Sequence, residues 1–172
     1  LTMAPPLAMM RATRCKPVIS SSAQQRGASM APKARAPNTS PSAASGPVTA
    51  SAVTWATKML GFDNEAALMT AAATLSADEQ QGAPVFLPYL SGERSPHNNP
   101  LASGAWTGLR APHGREHLAY AVAEGVGFGL LDGLRTIPAT EPPLTTLSLV
   151  GGGSRSAWWA QLLADTFGLT LQ

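Results

Sequence analysis

The sequence holds one cysteine, Cys15, so no disulfide forms within the chain. That fits a reducing compartment. No apolar run reaches the length of a membrane span or of a secretory signal's core, so neither is expected. Asp and Glu are missing from residues 1–62, and no histidine follows His117. The second gap argues against a serine hydrolase at the glycine–serine stretch near residue 152, because its acid and histidine would have to follow.

The acid-free part carries seven Lys and Arg, a charge of +7, while the remaining residues hold all ten acids and five arginines, a charge of −5. The overall +2 averages two unlike pieces and does not argue for nucleic acid. Residues 1–47 are Ala, Ser, Pro, Met and Arg, with seven prolines and no hydrophobic period. A disordered or non-native basic segment over 1–48 is therefore expected. Its Arg-rich make-up resembles an organelle transit peptide, but a shifted reading frame joined to a good one fits better. A start on Leu1 suggests a fragment. No aromatics interleave the charges, which speaks against nucleic acid.

Order is expected from about Thr49. A helix is predicted over Ser51–Gly61, with Val53, Trp55, Ala56, Met59 and Leu60 on its inner side, and a second over Asn64–Thr74. Val85–Leu90 reads as a buried strand ended by Pro88. A polar loop, Ser91–Pro100, and a short strand, Gly104–Leu109, come next. A long helix is predicted over Arg115–Ile137, with Leu118, Val122, Val126, Leu130 and Leu134 as its core stripe. Gly125 and Gly129, one turn apart, leave room for another backbone, and Pro138 stops the helix. After a Pro-containing loop, Thr145–Val150 is the last predicted strand.

That strand runs into Gly151-Gly152-Gly153, and the glycines run into a helix with Ser156 as N-cap and Gly168 as its stop. Trp159, Leu162, Leu163 and Thr166 share one face. Such a turn lets a ligand approach bare backbone, beside amides at the positive end of a helix dipole. It is either a phosphate or nucleotide site or an ordinary tight connection. Three rival motifs are weaker. His113-Gly-Arg-Glu-His117 fits a zinc-protease pattern, but Pro112 and Gly114 put His113 at or before the helix start, so a capping turn is expected and no metal. Gly152–Ser156 lacks the final glycine of a nucleophile elbow, and Gly151-x-Gly153 lacks the third glycine of a dinucleotide fingerprint. The Glu93–Arg94 pair either forms a solvated loop salt bridge or faces a cleft. Asp165 reads as a helix-end surface acid. Trp159 is expected in the core and Trp158 more exposed.

Three blocks together resemble xylulokinases of the FGGY carbohydrate kinase family: Phe86–Pro100, Gly104–Leu109 with His117-Leu118 and Ala121–Glu124, and Val150–Asp165. The resemblance runs from about Ser51 to Gln172. Ala123, Gly127, Ser154 and Ala157 depart from the usual pattern, but no charged group is lost. The resemblance implies an α/β fold: an incomplete ribonuclease-H-like, actin-like ATPase domain, residues 49–172 being part of the C-terminal nucleotide-binding domain. It implies that Gly151, Gly152 and Gly153 pack against ATP, with Ser154 and Arg155 bordering adenosine. The intact kinase would phosphorylate D-xylulose in the cytoplasm, with Mg2+ held mainly by a missing N-terminal kinase domain that also supplies the catalytic base. No catalytic residue is expected in this chain, and neither a membrane nor a nucleic-acid partner. Another sugar or polyol as substrate, or a non-catalytic nucleotide-binding or structural remnant, is the alternative.

Overall fold

The computed structural model describes residues 48–138 and 144–172. The expected basic segment falls on residues 1–47, outside the described ones, as does most of the loop after Pro138.

Helix α1 spans Val48–Met59 and α2 spans Glu65–Ala73, where Asn64 caps the first turn by accepting the Ala67 amide at 2.9 Å. The inner face of α1 is narrower than its hydrophobic pattern suggests. Ala52, Val53, Ala56 and Thr57 are buried, while Trp55 and Met59 are exposed. Small side chains let α1 lie close to its neighbour, which pushes the bulky pair to the rim. There Trp55 stacks on Trp106, ring centres 5.7 Å apart.

A short helix not expected from the sequence, α3, spans Ala77–Gly82. It is held by a capping box: Ser76 Oγ accepts the Glu79 amide, and the Glu79 carboxylate accepts from the Ser76 amide and hydroxyl at 2.8 and 2.7 Å. These bonds, the hydroxyl's first and the amide's next, hold the Glu79 carboxyl below its usual value of 4.5. A depressed folded pKa gives stability that is present above the unfolded carboxylate pKa and lost as pH falls through the folded one. Glu79→Gln is therefore expected to flatten the acid-side loss of stability below pH 4.5. Denaturant melts at stepped pH would reveal this, and an unchanged acid limb would refute it.

Strands β1 (Val85–Leu87) and β2 (Ala105–Thr107) form an antiparallel pair, Phe86 opposite Trp106. The expected buried strand is only half buried. Phe86 points into the core at 2% exposure, whereas Val85 and Leu87 face outward, because a two-stranded sheet has one packed face.

Helix α4 (Arg115–Leu134) is the centre of the molecule. Nine consecutive residues, Ala119–Gly127, are buried, so a single core stripe is the wrong description. Helices α1 and α2, strand β1 and the last helix all pack on it. Alanines and glycines make this possible, since they let neighbours close in on every side. Leu118, Leu130 and Leu134 of the expected stripe are only half buried. The predicted backbone approach is present at Gly125, where a Cβ would sit 2.3 Å from the Phe86 carbonyl oxygen. Gly129 lies against Pro88, and Gly127 against Leu163.

Strand β3 is regular only over Thr146–Leu147 and pairs in parallel with β4, Thr170–Leu171. Helix α5 (Ala157–Phe167) joins them. Ser156 Oγ caps α5 by accepting the Trp159 amide at 3.2 Å, and Gly168 ends it at φ 66°, as the sequence indicates. None of the described helices is long and apolar enough to cross a membrane.

Candidate functional site: the glycine turn after β3

The extended chain of β3 ends at Gly151, whose φ of 98° and ψ of −167° only glycine adopts freely. Its carbonyl oxygen then accepts from both the amide and the hydroxyl of Ser154, at 3.2 and 2.7 Å. This closes a single 3-10 turn over Gly152–Arg155. The first amides of such a turn have no partner within it.

The three glycines serve different ends. Gly151 supplies the positive φ. Gly152 is exposed, its φ is ordinary, and a Cβ there would meet nothing within 4 Å. The left-handed backbone of the turn belongs to Gly151 and not to Gly152. Gly153 is needed for packing, since its Cβ would lie 2.1 Å from the Trp159 ring. Trp159 is 8% exposed, and its indole N–H donates to the Ala123 carbonyl at 3.3 Å. The turn is therefore seated on α4 through one tryptophan. Ser154 and Arg155 are exposed at the turn's outer side. Trp158 is half buried, tilted against Tyr120 at 6.1 Å. Asp165 is exposed and accepts from Gln161, a surface acid as expected.

A groove of about 550 Å3 lies beside this turn, not on it, and none of Gly151–Arg155 lines it. Its walls are the end of α4 (Leu130, Leu134), β3 and β4 (Leu147, Leu149, Leu171) and Phe167 of α5. Tyr89, Glu93, Arg94 and Ser95 form its polar mouth.

Neither sequence reading of Glu93–Arg94 survives unchanged. No ion pair joins the two among the described residues. Glu93 is 7% exposed; its carboxylate accepts the His97 amide at 2.8 Å, and its own amide donates to Asn99 at 2.8 Å. It is the internal strut of the polar loop. Arg94 is exposed on the groove. Burial, then the charges of Asp132 and Glu93, push the Tyr89 phenol above its usual value, so its hydroxyl keeps its proton at neutral pH.

The loop is also tied to α4 by His97 Nε2 and Asp132 Oδ2, 2.6 Å apart. Sequence reasoning missed this pair, which is 35 residues apart. A signal existed: Gly125, Gly129 and Asp132 follow each other at helical spacing, on the face that meets β1 and the loop. The capping reading of the two earlier histidines holds. His113 Nδ1 accepts the Arg110 amide at 3.1 Å and His117 Nδ1 the Gly114 amide at 3.2 Å, with the rings stacked.

Residues 21–172 match the FGGY family of carbohydrate kinases, C-terminal domain. The chain belongs to that family. The matched span begins inside the basic segment that composition sets apart. The xylulose kinase of Escherichia coli (strain K12) is 48% identical over 122 residues, 71% of this chain and 25% of that protein. A xyloylose kinase from Brucella ovis superposes with a TM-score of 0.61 at 36% identity, covering 71% of this chain and 25% of that one. Gluconate kinase from Lactobacillus acidophilus gives a TM-score of 0.60 at 28% identity, over 70% of this chain and 24% of that one. The chain spans about a quarter of the length of the curated relatives it matches. The family match over residues 21–172 takes in the three blocks gathered around α4: hairpin and loop, central helix, glycine turn with α5.

Proposed function

We propose that this chain supplies the adenosine-binding part of an ATP-dependent sugar kinase of xylulokinase type, built on an actin-like ATPase fold. The observation that carries this reading is the open backbone at Gly151–Gly152, at the carboxyl end of a parallel strand, in a chain 48% identical to a xylulose kinase. Ligands of α/β sheets gather at that end of the strands, and free turn amides favour negative charge. In this reading Gly151 and Gly152 lie against the nucleotide, Gly153 holds the turn on Trp159, and Ser154 and Arg155 border adenosine.

The intact enzyme would move the γ-phosphoryl group of ATP to a hydroxyl of D-xylulose, in the cytoplasm. Such transfer rests on positioning and on charge stabilisation around the phosphates. The base that takes the sugar proton, the phosphate clamp and the ligands of Mg2+ are assigned to the part of the kinase that this chain does not span. The likeness to a gluconate kinase supports a second substrate reading, an acidic sugar derivative.

The test is a glycine series in a full-length kinase carrying residues 51–172 of this chain. Gly152→Val should raise the KM for ATP at least ~10-fold, equal to about 1.4 kcal/mol, and leave sugar KM and melting temperature nearly unchanged. Gly153→Ala should do the reverse, lowering the melt because the Trp159 ring must move. If Gly152→Val leaves ATP titration unaltered, the turn is only a turn. Turnover of gluconate in place of D-xylulose would move the substrate assignment.

A further inference from the structure

The hydroxyl proton of Ser154 is already committed. Ser154 Oγ lies 2.7 Å from the Gly151 carbonyl oxygen, which also accepts the Ser154 amide at 3.2 Å. A carbonyl oxygen only accepts, so the proton between the two oxygens is the serine's. What the hydroxyl still offers is its lone pairs. Ser154 is exposed on the outer side of the turn, so those lone pairs are open to a ligand. Swinging the proton outward would leave the Gly151 carbonyl with the longer bond alone and cost the turn one of its two ties. The bond that closes the turn therefore also sets the character of its outward hydroxyl: an acceptor, not a donor.

We propose that Ser154 determines base specificity at the nucleotide site, its Oγ accepting from the exocyclic amino group of adenine. The inference rests on the nucleotide role given above to Gly151–Arg155. Adenine carries a donor, its amino group, where guanine and hypoxanthine carry a carbonyl oxygen, an acceptor. A freely turning hydroxyl would suit both. One whose proton is held by Gly151 suits only the donor, and sets oxygen against oxygen in the other bases. Ribose hydroxyls both donate and accept, so an acceptor at Ser154 makes no such choice among them. Ser154 is one of the positions where this chain departs from the usual FGGY pattern, which makes the selection a property of its own turn.

Nucleotide titrations test this, in the full-length kinase carrying residues 51–172 and in the full chain by itself. The probes are ATP, purine riboside triphosphate (no amino group), ITP (a carbonyl in its place) and 2′-deoxyATP. ATP should bind about 5-fold tighter than purine riboside triphosphate, the loss of one neutral hydrogen bond. It should bind at least ~10-fold tighter than ITP, whose carbonyl leaves the serine unpaired. Ser154→Ala should weaken ATP and bring these three ligands within about twofold of one another. Ser154→Thr keeps the hydroxyl and should keep the order. If Ser154→Ala weakens every nucleotide by one factor, the residue is only a tie of the turn and the proposal falls. A penalty on 2′-deoxyATP that Ser154→Ala erases would overturn it in favour of a ribose contact. Gly152→Val separates this inference from the reading beneath it. ATP binding that responds to Gly152→Val, with a base preference indifferent to Ser154→Ala, overturns the inference alone. ATP binding indifferent to Gly152→Val, or absent from both preparations, overturns the nucleotide role itself.

Discussion

Phe86→Ala is expected to destabilise the protein by about 3–5 kcal/mol, the usual range for removing a buried aromatic. Phe86 is 2% exposed and is the one residue of β1 that points into the core. Its ring lies 4.7 Å from that of Trp106, and its carbonyl touches Gly125 of α4. With the ring gone, the β1–β2 pair keeps its ladder but loses its grip on the central helix. Two-stranded pairs are marginal by themselves. The loss should therefore register both in denaturant midpoint and in Trp106 fluorescence. A drop below ~1 kcal/mol would mean that the hairpin is held elsewhere.

The second large effect comes from one substitution made at two sites of α4. Gly→Ala inside a helix stabilises by roughly 1 kcal/mol from propensity alone. At Gly133 a Cβ meets nothing within 4 Å, so that gain should appear nearly whole. At Gly125 the same Cβ would stand 2.3 Å from a backbone oxygen of β1, which cannot rotate away. Overpacking of this kind costs about 3 kcal/mol, which outweighs the propensity gain and leaves a net loss near ~2 kcal/mol. Opposite signs for Gly125→Ala and Gly133→Ala in urea melts are the expected result. Equal signs would show that α4 and β1 are not in the close approach described.

Much of this architecture was legible because local signals agreed. The Ser156 and Gly168 caps bound their helix as read, and the pair Gly125 and Gly129 correctly announced a close neighbour. The errors share a cause. Periodicity ranks side chains by apolarity, so it put Trp55 and Met59 inside and gave α4 a single leucine and valine stripe, of which only Val122 and Val126 are fully buried. Packing ranks them by fit, and here alanine and glycine take the centre. Helix α3 went unread because it is six residues long and buries none of them. At the glycine turn the spacing located the site but could not divide the labour among three identical residues. Only the positions of neighbouring atoms separate a glycine kept for φ, one kept for space and one kept for Trp159. The joining of His97 to Asp132 depends on how loop and helix meet, which no local pattern encodes.

Trp159 gives the turn a mechanical property. One indole presses on Gly153 with its ring and grips the Ala123 carbonyl with its N–H. Close-packed contacts pass displacement on with little slack. The glycine turn is therefore braced on α4 through a single side chain. At the far end of that helix, Asp132 is clasped by the loop that carries Glu93 and Arg94. Loop and turn thus hold the same helix at two points, Asp132 and Ala123.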